Sequence, residues 1–429
     1  MVKRSASIAV RWRNWLRPFL ICLVAGAALA LYWTPLQAPV GDEPHYLLMA
    51  DSLLRDGDLD LANQYRTLAP ELDLHAQDYW GDGRLYPMHQ PGVPALIAPG
   101  YALGGRGGAT AVMVLVWSGV GALLHNWLRR AVEARAAWLA WAGVMFTMPV
   151  FLFAVQFYSD MVGAALMLFI LYLSGHGDGT GVPPAGSARW LALGAALGAL
   201  PWMEEKFALP GLFLGALVLW TGRPRGRDLV AFLLPPLVMG VAFAAMQLAM
   251  YGALVEPWRV ETPGLWRWDR APRQAAALWL DQEFGLLPYA PAYALALPGL
   301  VLMFWRRETR ALAARVVAVF ALVFIPAAAW FDWHGGYSVP ARELVGALPL
   351  LALPIGALLD APRGWLRWAL WAGYGALVLW AVFVLLFGLE YPAFRLYNTA
   401  DGYGNLWQAL SPHVGRDMAA LLPAFLRGG

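Results

Sequence analysis

Stretches of about twenty apolar residues recur along the chain, broken by short polar segments, and a polypeptide built this way has one medium in which to bury itself. Spanning a hydrocarbon core of about 30 Å takes roughly 20 mostly apolar residues at about 1.5 Å each. Of the 429 residues, 60% are hydrophobic and only 14% charged, against about a quarter charged in a soluble domain. The sequence therefore predicts an all-α polytopic membrane protein. Eleven spans are expected, near 15–33, 109–128, 137–155, 161–174, 190–203, 207–220, 229–250, 287–305, 316–331, 343–359 and 368–388. Two apolar runs, 137–174 and 190–220, are too long to cross once. Each is expected to be a hairpin, turning at Gln156 and Asp160 in the first and at Glu204, Glu205 and Lys206 in the second.

Charge assigns sides to the spans. With a cytoplasmic N-terminus, the inner segments hold 18 of the 31 Lys and Arg but five of the 28 acids, so the net +3 conceals a basic inner face and an acidic outer one. That is the positive-inside pattern, and it leaves the C-terminus on the outer side. The first 33 residues also have the basic start and small residues near Ala30 of a signal peptide, but ten further spans favour a retained anchor. The Arg-rich inner loops suit anionic lipid headgroups, and no basic helix or aromatic-interleaved groove points to nucleic acid. The single Cys22 excludes a disulfide framework. Neither lysine, Lys3 nor Lys206, lies in a Walker-type phosphate loop.

The polar chemistry collects outside. The loop 34–108 carries ten acids, Asp42, Glu43, Asp51, Asp56, Asp58, Asp60, Glu71, Asp73, Asp78 and Asp82, and is too long for a mere connector. Its start places Tyr46, Met49, Ala50, Leu53 and Leu54 on one stripe, as in an amphipathic helix lying along the membrane surface. Pro44 fits the first turn of that helix, which gives Asp42 a second reading as its N-cap. The loop returns through His89, Gln90, Pro91 and Gly92. Later outer segments bring Asp160, the trio Glu204-Glu205-Lys206, the stretch Asp281 to Gly285, and His334-Gly335-Gly336-Tyr337 leading into Arg342. Charge at a membrane edge is costly to bury and marks functional positions, Lys206 and Arg342 foremost. Tyr and Trp in these segments, such as Tyr46, Tyr86, Tyr158, Trp202, Trp333 and Tyr337, serve either sugar stacking or an interfacial belt.

An acidic pair directly after the first span, a long outer loop closed by His89-Gln90-Pro91-Gly92, and an acid after the third span at Asp160 resemble the GT-C superfamily. These are integral-membrane glycosyltransferases, and the nearest resemblance is to bacterial relatives of the protein O-mannosyltransferases and the aminoarabinose transferase. It covers most of the chain as a transmembrane domain over 1–388, with surface helices in loop 34–108 and a tail over 389–429. The large C-terminal domain of some relatives has no counterpart, as only about 40 residues follow the last span. The resemblance implies transfer of a sugar from a polyprenyl-phosphate donor to a glycan, lipid or protein acceptor at the periplasmic face, with inversion. Asp42 is the implied general base and Glu43 the second candidate. Lys206, Arg342 and His334 would hold the donor phosphate, and His89, Gln90, Tyr46, Tyr337 and Asp160 would line the substrate. Some members use a divalent metal, for which Asp42, Asp160 and His89 would be the ligands; no other cofactor is implied. The alternative from another class is a transporter or flippase of lipid-linked sugars; a sugar-polymer ligase and a non-catalytic scaffold with the same fold also stay open. Convergence of Asp42, Asp160, Lys206 and Arg342 in one cavity favours transfer, whereas a central polar pathway favours transport.

Overall fold

The computed structural model describes residues 8–68, 79–81, 84–175, 186–336, 338–390 and 406–425. Tyr337, Glu71, Asp73, Asp78 and Asp82, and the part of the C-terminal tail at 391–405, lie outside the described residues. In chain order the elements begin with α1 (Ile8–Leu36), α2 (Glu43–Arg55), α3 (Ala62–Thr67), β1 (Tyr79–Gly81), β2 (Arg84–Tyr86) and α4 (Gly92–Ala131). Then come α5 (Ala134–Met145), α6 (Ser159–Ser174), α7 (Ser187–Met203), α8 (Ala208–Gly222) and α9 (Arg227–Tyr251). The second half holds α10 (Pro257–Glu261), α11 (Ala271–Leu280), α12 (Leu286–Tyr289), α13 (Ala296–Trp305) and α14 (Arg310–Ala329). The chain closes with α15 (Ala352–Asp360), α16 (Gly364–Glu390), α17 (Leu406–Val414) and α18 (Met418–Leu421).

The protein is thus an all-α polytopic membrane protein, and every expected span coincides with a helix or a run of helical turns. Five helices, α1, α4, α9, α14 and α16, are long and apolar enough to cross a membrane, and α6, 291–305 and 348–360 are shorter apolar segments. Exposed Leu233, Leu234, Leu237, Val238 and Val241 along α9 make sense only against lipid. Both long apolar runs break where polar residues interrupt them. The first breaks between α5 and α6, through a 3-10 turn at Leu152–Ala154, and the second at the 3-10 turn Glu205–Phe207 between α7 and α8. Cys22 is free and buried where α1 packs on α4, with Gly121 directly opposite its sulfur.

Two details differ from expectation. Helix α2 is more enclosed than a single stripe implies: Glu43 through Ser52 are all buried, polar positions as well as apolar ones, while Leu54 and Arg55 at its end are exposed. It packs against α4, with α3 also in contact, so residues off its apolar stripe are enclosed as well. The return of the loop is also a helix, since α4 starts at Gly92 and reverses at Gly104 (φ −151°) and Gly105 (φ +55°) before crossing. Gly100 and Gly108 meet backbone to backbone across this reversal, an approach no side chain would allow. A two-stranded hairpin pairs Trp80 with Leu85 within the same loop.

Candidate functional site

Four chain junctions at one end of the bundle meet around a cluster of six charged side chains. The first is the step from α1 into α2, where Gly41 (φ +59°) turns the chain and delivers Asp42. Asp42 stands at the N-cap position with Pro44 in the first turn, yet its side chain makes no capping hydrogen bond. It pairs instead with the Arg342 guanidinium, and its other oxygen lies 3.8 Å from His89 Nε2. Capping therefore does not account for this carboxylate.

Arg342 arrives on the second junction. Gly335 and Gly336 both have positive φ, and Ala341 takes a left-handed conformation (φ +58°) just before the 3-10 turn Arg342–Leu344. The Ala341 amide donates to the Phe284 carbonyl at 2.9 Å, which ties this turn to the segment after α11. That segment is itself braced by Asp281, whose carboxylate accepts from the amides of Glu283, Phe284 and Phe425. The C-terminal residues thereby buttress the site from behind. Arg342 is 7% exposed; it donates to the Gly335 carbonyl at 3.1 Å and lies 4.0 Å over the Tyr158 ring. Its Nε is 3.7 Å from Asp160 and 3.9 Å from Glu343.

The third and fourth junctions are the start of α6 and the turn between α7 and α8. They bring Asp160, wholly buried, to 2.8 Å from Lys206 Nζ. Lys206 is also 3.2 Å from Glu343 and 3.3 Å from Glu204, and the Ser159 hydroxyl donates to Glu204. Phe207 anchors the turn by stacking where Gly163 leaves room on α6. The trio Glu204-Glu205-Lys206 is therefore not a self-contained neutral turn. Glu204 stays with Lys206, whereas Glu205 points the other way into a second set with Gln90, Glu256 and Arg259.

Electrostatics follow from this layout. Burial opposes the charge on Asp42, but Arg342 and then His89 outweigh it and hold the carboxyl well below its ordinary value. Glu43, next in sequence, behaves oppositely. Burial pushes its carboxyl up to about 7, although Arg106 and the amides of Phe157 and Val40 pull the other way. Its two oxygens accept from those amides at 3.1 and 3.3 Å. Burial likewise pushes Glu205 up to about 8 against the opposing Arg259, with neighbouring Glu256 adding to the rise. Burial, with the Glu204 and Asp42 carboxylates, keeps the Tyr46 phenol protonated.

Of the residues singled out by sequence, Asp42, Asp160, Lys206 and Arg342 converge. His89 joins them through Asp42, wedged between Tyr46 (5.3 Å between rings) and His45 (5.6 Å). Gln90 is one residue further and belongs to the second set. His334 bonds Asp332 at 2.9 Å and packs on Phe284; its link to the cluster is Gly335, whose carbonyl holds Arg342. Glu43 is enclosed and bonded to backbone. Glu204 and Glu343 are the members of the cluster that the sequence reading did not single out as site residues. Glu343 adjoins Arg342 in a membrane-edge segment, and that adjacency is the signal that could have found it. Among the described residues no three His, Cys, Asp or Glu side chains gather as a metal would require. The carboxylates converge on Lys206 and Arg342, and Asp160 faces those cations rather than Asp42 and His89. The proposed ligand trio does not fit a metal ion.

The geometry defines a polytopic membrane protein with a buried ionic cluster at one end of its helical bundle. No protein-family model and no curated protein sequence matches the chain. Among solved structures it is similar to ArnT from Cupriavidus metallidurans bound to undecaprenyl phosphate, with a TM-score of 0.55, 16% identity, and 95% of this chain and 77% of that one covered. The apo state of the same ArnT gives a TM-score of 0.55 and 18% identity, covering 97% of this chain and 77% of that one. At such identity the likeness establishes the fold.

Proposed function

We propose that the chain transfers a sugar from a polyprenyl-phosphate-linked donor to an acceptor hydroxyl at the periplasmic face of the inner membrane, with inversion. The observation that carries this reading is the pairing of Asp42 with Arg342 beside Lys206, inside the fold of enzymes that include an undecaprenyl-phosphate-binding ArnT. The compartment agrees with the donor. Nucleotide sugars are absent from the periplasm, whereas a lipid-linked sugar carries its own anchor and presents phosphate and sugar at the membrane surface.

In this reading Asp42, ionised at neutral pH, takes the proton from the acceptor hydroxyl as the oxygen attacks the anomeric carbon. The bond from that carbon to the phosphate oxygen breaks on the opposite side, and the electron pair leaves with polyprenyl phosphate. Arg342, with a planar fork of donors, and Lys206, a point charge, stabilise the departing phosphate. Glu43 fixes the loop that carries Asp42, by holding the amides of Val40 and Phe157. Asp160, Glu204 and Glu343 orient the two cations. His89 flanks the base, and Tyr46 packs behind it. The six charges form one compact group at a single end of the bundle, which supports transfer over transport. The test is to assay purified protein against a panel of polyprenyl-phosphate sugars, with and without a chelator. Donor-dependent release of polyprenyl phosphate that survives chelation is expected; no release from any donor, with transport of the same lipids in vesicles, would overturn the reading.

A further inference from the structure

At the end of the bundle away from Asp42, a cavity of about 400 Å³ opens between the α4–α5 and α15–α16 turns, lined by Arg135, Arg363, Gly364, Arg367, Trp368 and Trp371. Its position follows from the chain path. Helix α4 starts beside Gln90 and ends at Ala131, and α15 leads away from Arg342 to Asp360, so both turns lie at the far end. Arg367 is built into the wall. It donates to Glu133 at 2.7 Å and to the Pro362 carbonyl at 2.9 Å, and it faces the Trp371 ring at 5.7 Å. Trp371 is fixed in turn by donating to the Leu359 carbonyl at 2.9 Å. Arg135 and Arg363 are exposed and, among the described residues, have no acidic partner. With Glu133 offsetting Arg367, the pocket keeps two uncompensated guanidiniums.

We propose that this pocket binds the headgroup of an anionic phospholipid. Two free guanidiniums match a phosphodiester, which each can grip through paired N–H donors. The surroundings select a lipid over a free anion. Trp365 (75% exposed), Trp368 (61%) and Leu366 (52%) present apolar surface beside the pocket, at the first turn of α16, itself long and apolar enough to span. Exposed tryptophans at the mouth of a span sit at headgroup depth, where basic pockets between helices take anionic lipid.

Native mass spectrometry of the detergent-purified full chain, offered phosphatidylglycerol or phosphatidylcholine, tests the inference. The wild type should retain phosphatidylglycerol in clear preference. Replacing both free arginines, Arg135→Gln with Arg363→Gln, should weaken that retention roughly 30-fold. The lysine pair Arg135→Lys with Arg363→Lys, which keeps charge but loses the fork, should fall between. A control pair on another exposed loop, Arg306→Gln with Arg307→Gln, should keep the wild-type preference. The assignment is overturned by an undiminished preference in the glutamine pair, by an equal loss in the control pair, or by displacement of the lipid with equimolar inorganic phosphate. Should the glutamine pair fail to fold, the lysine pair decides: wild-type retention there contradicts the forked grip.

Discussion

Replacing Arg342 with glutamine removes the cation that links Asp42 to the rest of the cluster. Four carboxylates, Asp42, Asp160, Glu204 and Glu343, face two cations, so the substitution leaves Lys206 alone against all four. Breaking a buried ion pair from one side costs about 3–5 kcal/mol. The cost here should fall near the lower figure, because Asp42 is free to take up a proton once the guanidinium is gone: burial raises its carboxyl and Arg342 is the main opposing influence. The ligand effect is separable from this. One charged hydrogen bond to a phosphate contributes about 1.5–3 kcal/mol, or roughly a 10- to 100-fold change in Kd. Binding of undecaprenyl phosphate to protein in nanodiscs, measured by titration, reads that change without knowledge of the sugar. Arg342→Lys should recover part of the affinity, since charge returns without the fork. A folded Arg342→Gln variant that binds undecaprenyl phosphate as tightly as wild type would refute the phosphate role.

Three further outcomes follow from the same contacts. Lys206→Met strands Asp160, Glu204 and Glu343 and should lower stability by about 3–5 kcal/mol, read as a drop in melting temperature that Lys206→Arg partly restores; an unchanged melt would contradict the network. Glu43, raised to about 7 from an ordinary 4.5, holds a proton in the folded state that the unfolded chain has released. Its contribution, about 3 kcal/mol, is complete below the ordinary value and is lost as pH rises through about 7. Glu205 acts in the same direction up to about 8, so melting temperature should fall between these limits, and Glu43→Gln should flatten the fall; a melt that rises with pH there contradicts the assignment. A Cβ at Gly163 would overlap the Phe207 ring, so Gly163→Ala should cost about 1–3 kcal/mol and reduce transfer by moving Lys206. Gly119→Ala, into open space on α4, should be neutral or slightly stabilising in the same thermal assay.

The spans were legible because hydrocarbon thickness and helix rise leave little freedom, and the polar breaks at Gln156 to Asp160 and at 204–206 announced their turns. Lys206 and Arg342 stood out because isolated charge at a membrane edge has few structural uses, and Asp42 through the acidic pair that follows the first span. Pairing was not legible. Asp42 and Arg342 are 300 positions apart, and nothing local tells Glu204 to face Lys206 while Glu205 turns to Arg259. The burial of α2 beyond its stripe was not legible for a related reason: the contacts with α4 and α3 that enclose it are invisible to periodicity. The helix at the end of that loop was hidden by Pro94, Pro99 and the five glycines from Gly100 to Gly108 around its reversal, residues that usually mark irregular chain.

The central claim is that Asp42 removes the acceptor proton in a transfer from a lipid-linked sugar. Its most direct test is single-turnover release of polyprenyl phosphate, compared between wild type and Asp42→Asn with a donor the wild type accepts. Asparagine keeps the shape and leaves Arg342 its bond to Gly335, so the variant should fold and bind the donor. Release should slow by roughly 100- to 10,000-fold, the usual contribution of a positioned base. A folded Asp42→Asn variant that releases polyprenyl phosphate at the wild-type rate would contradict the account.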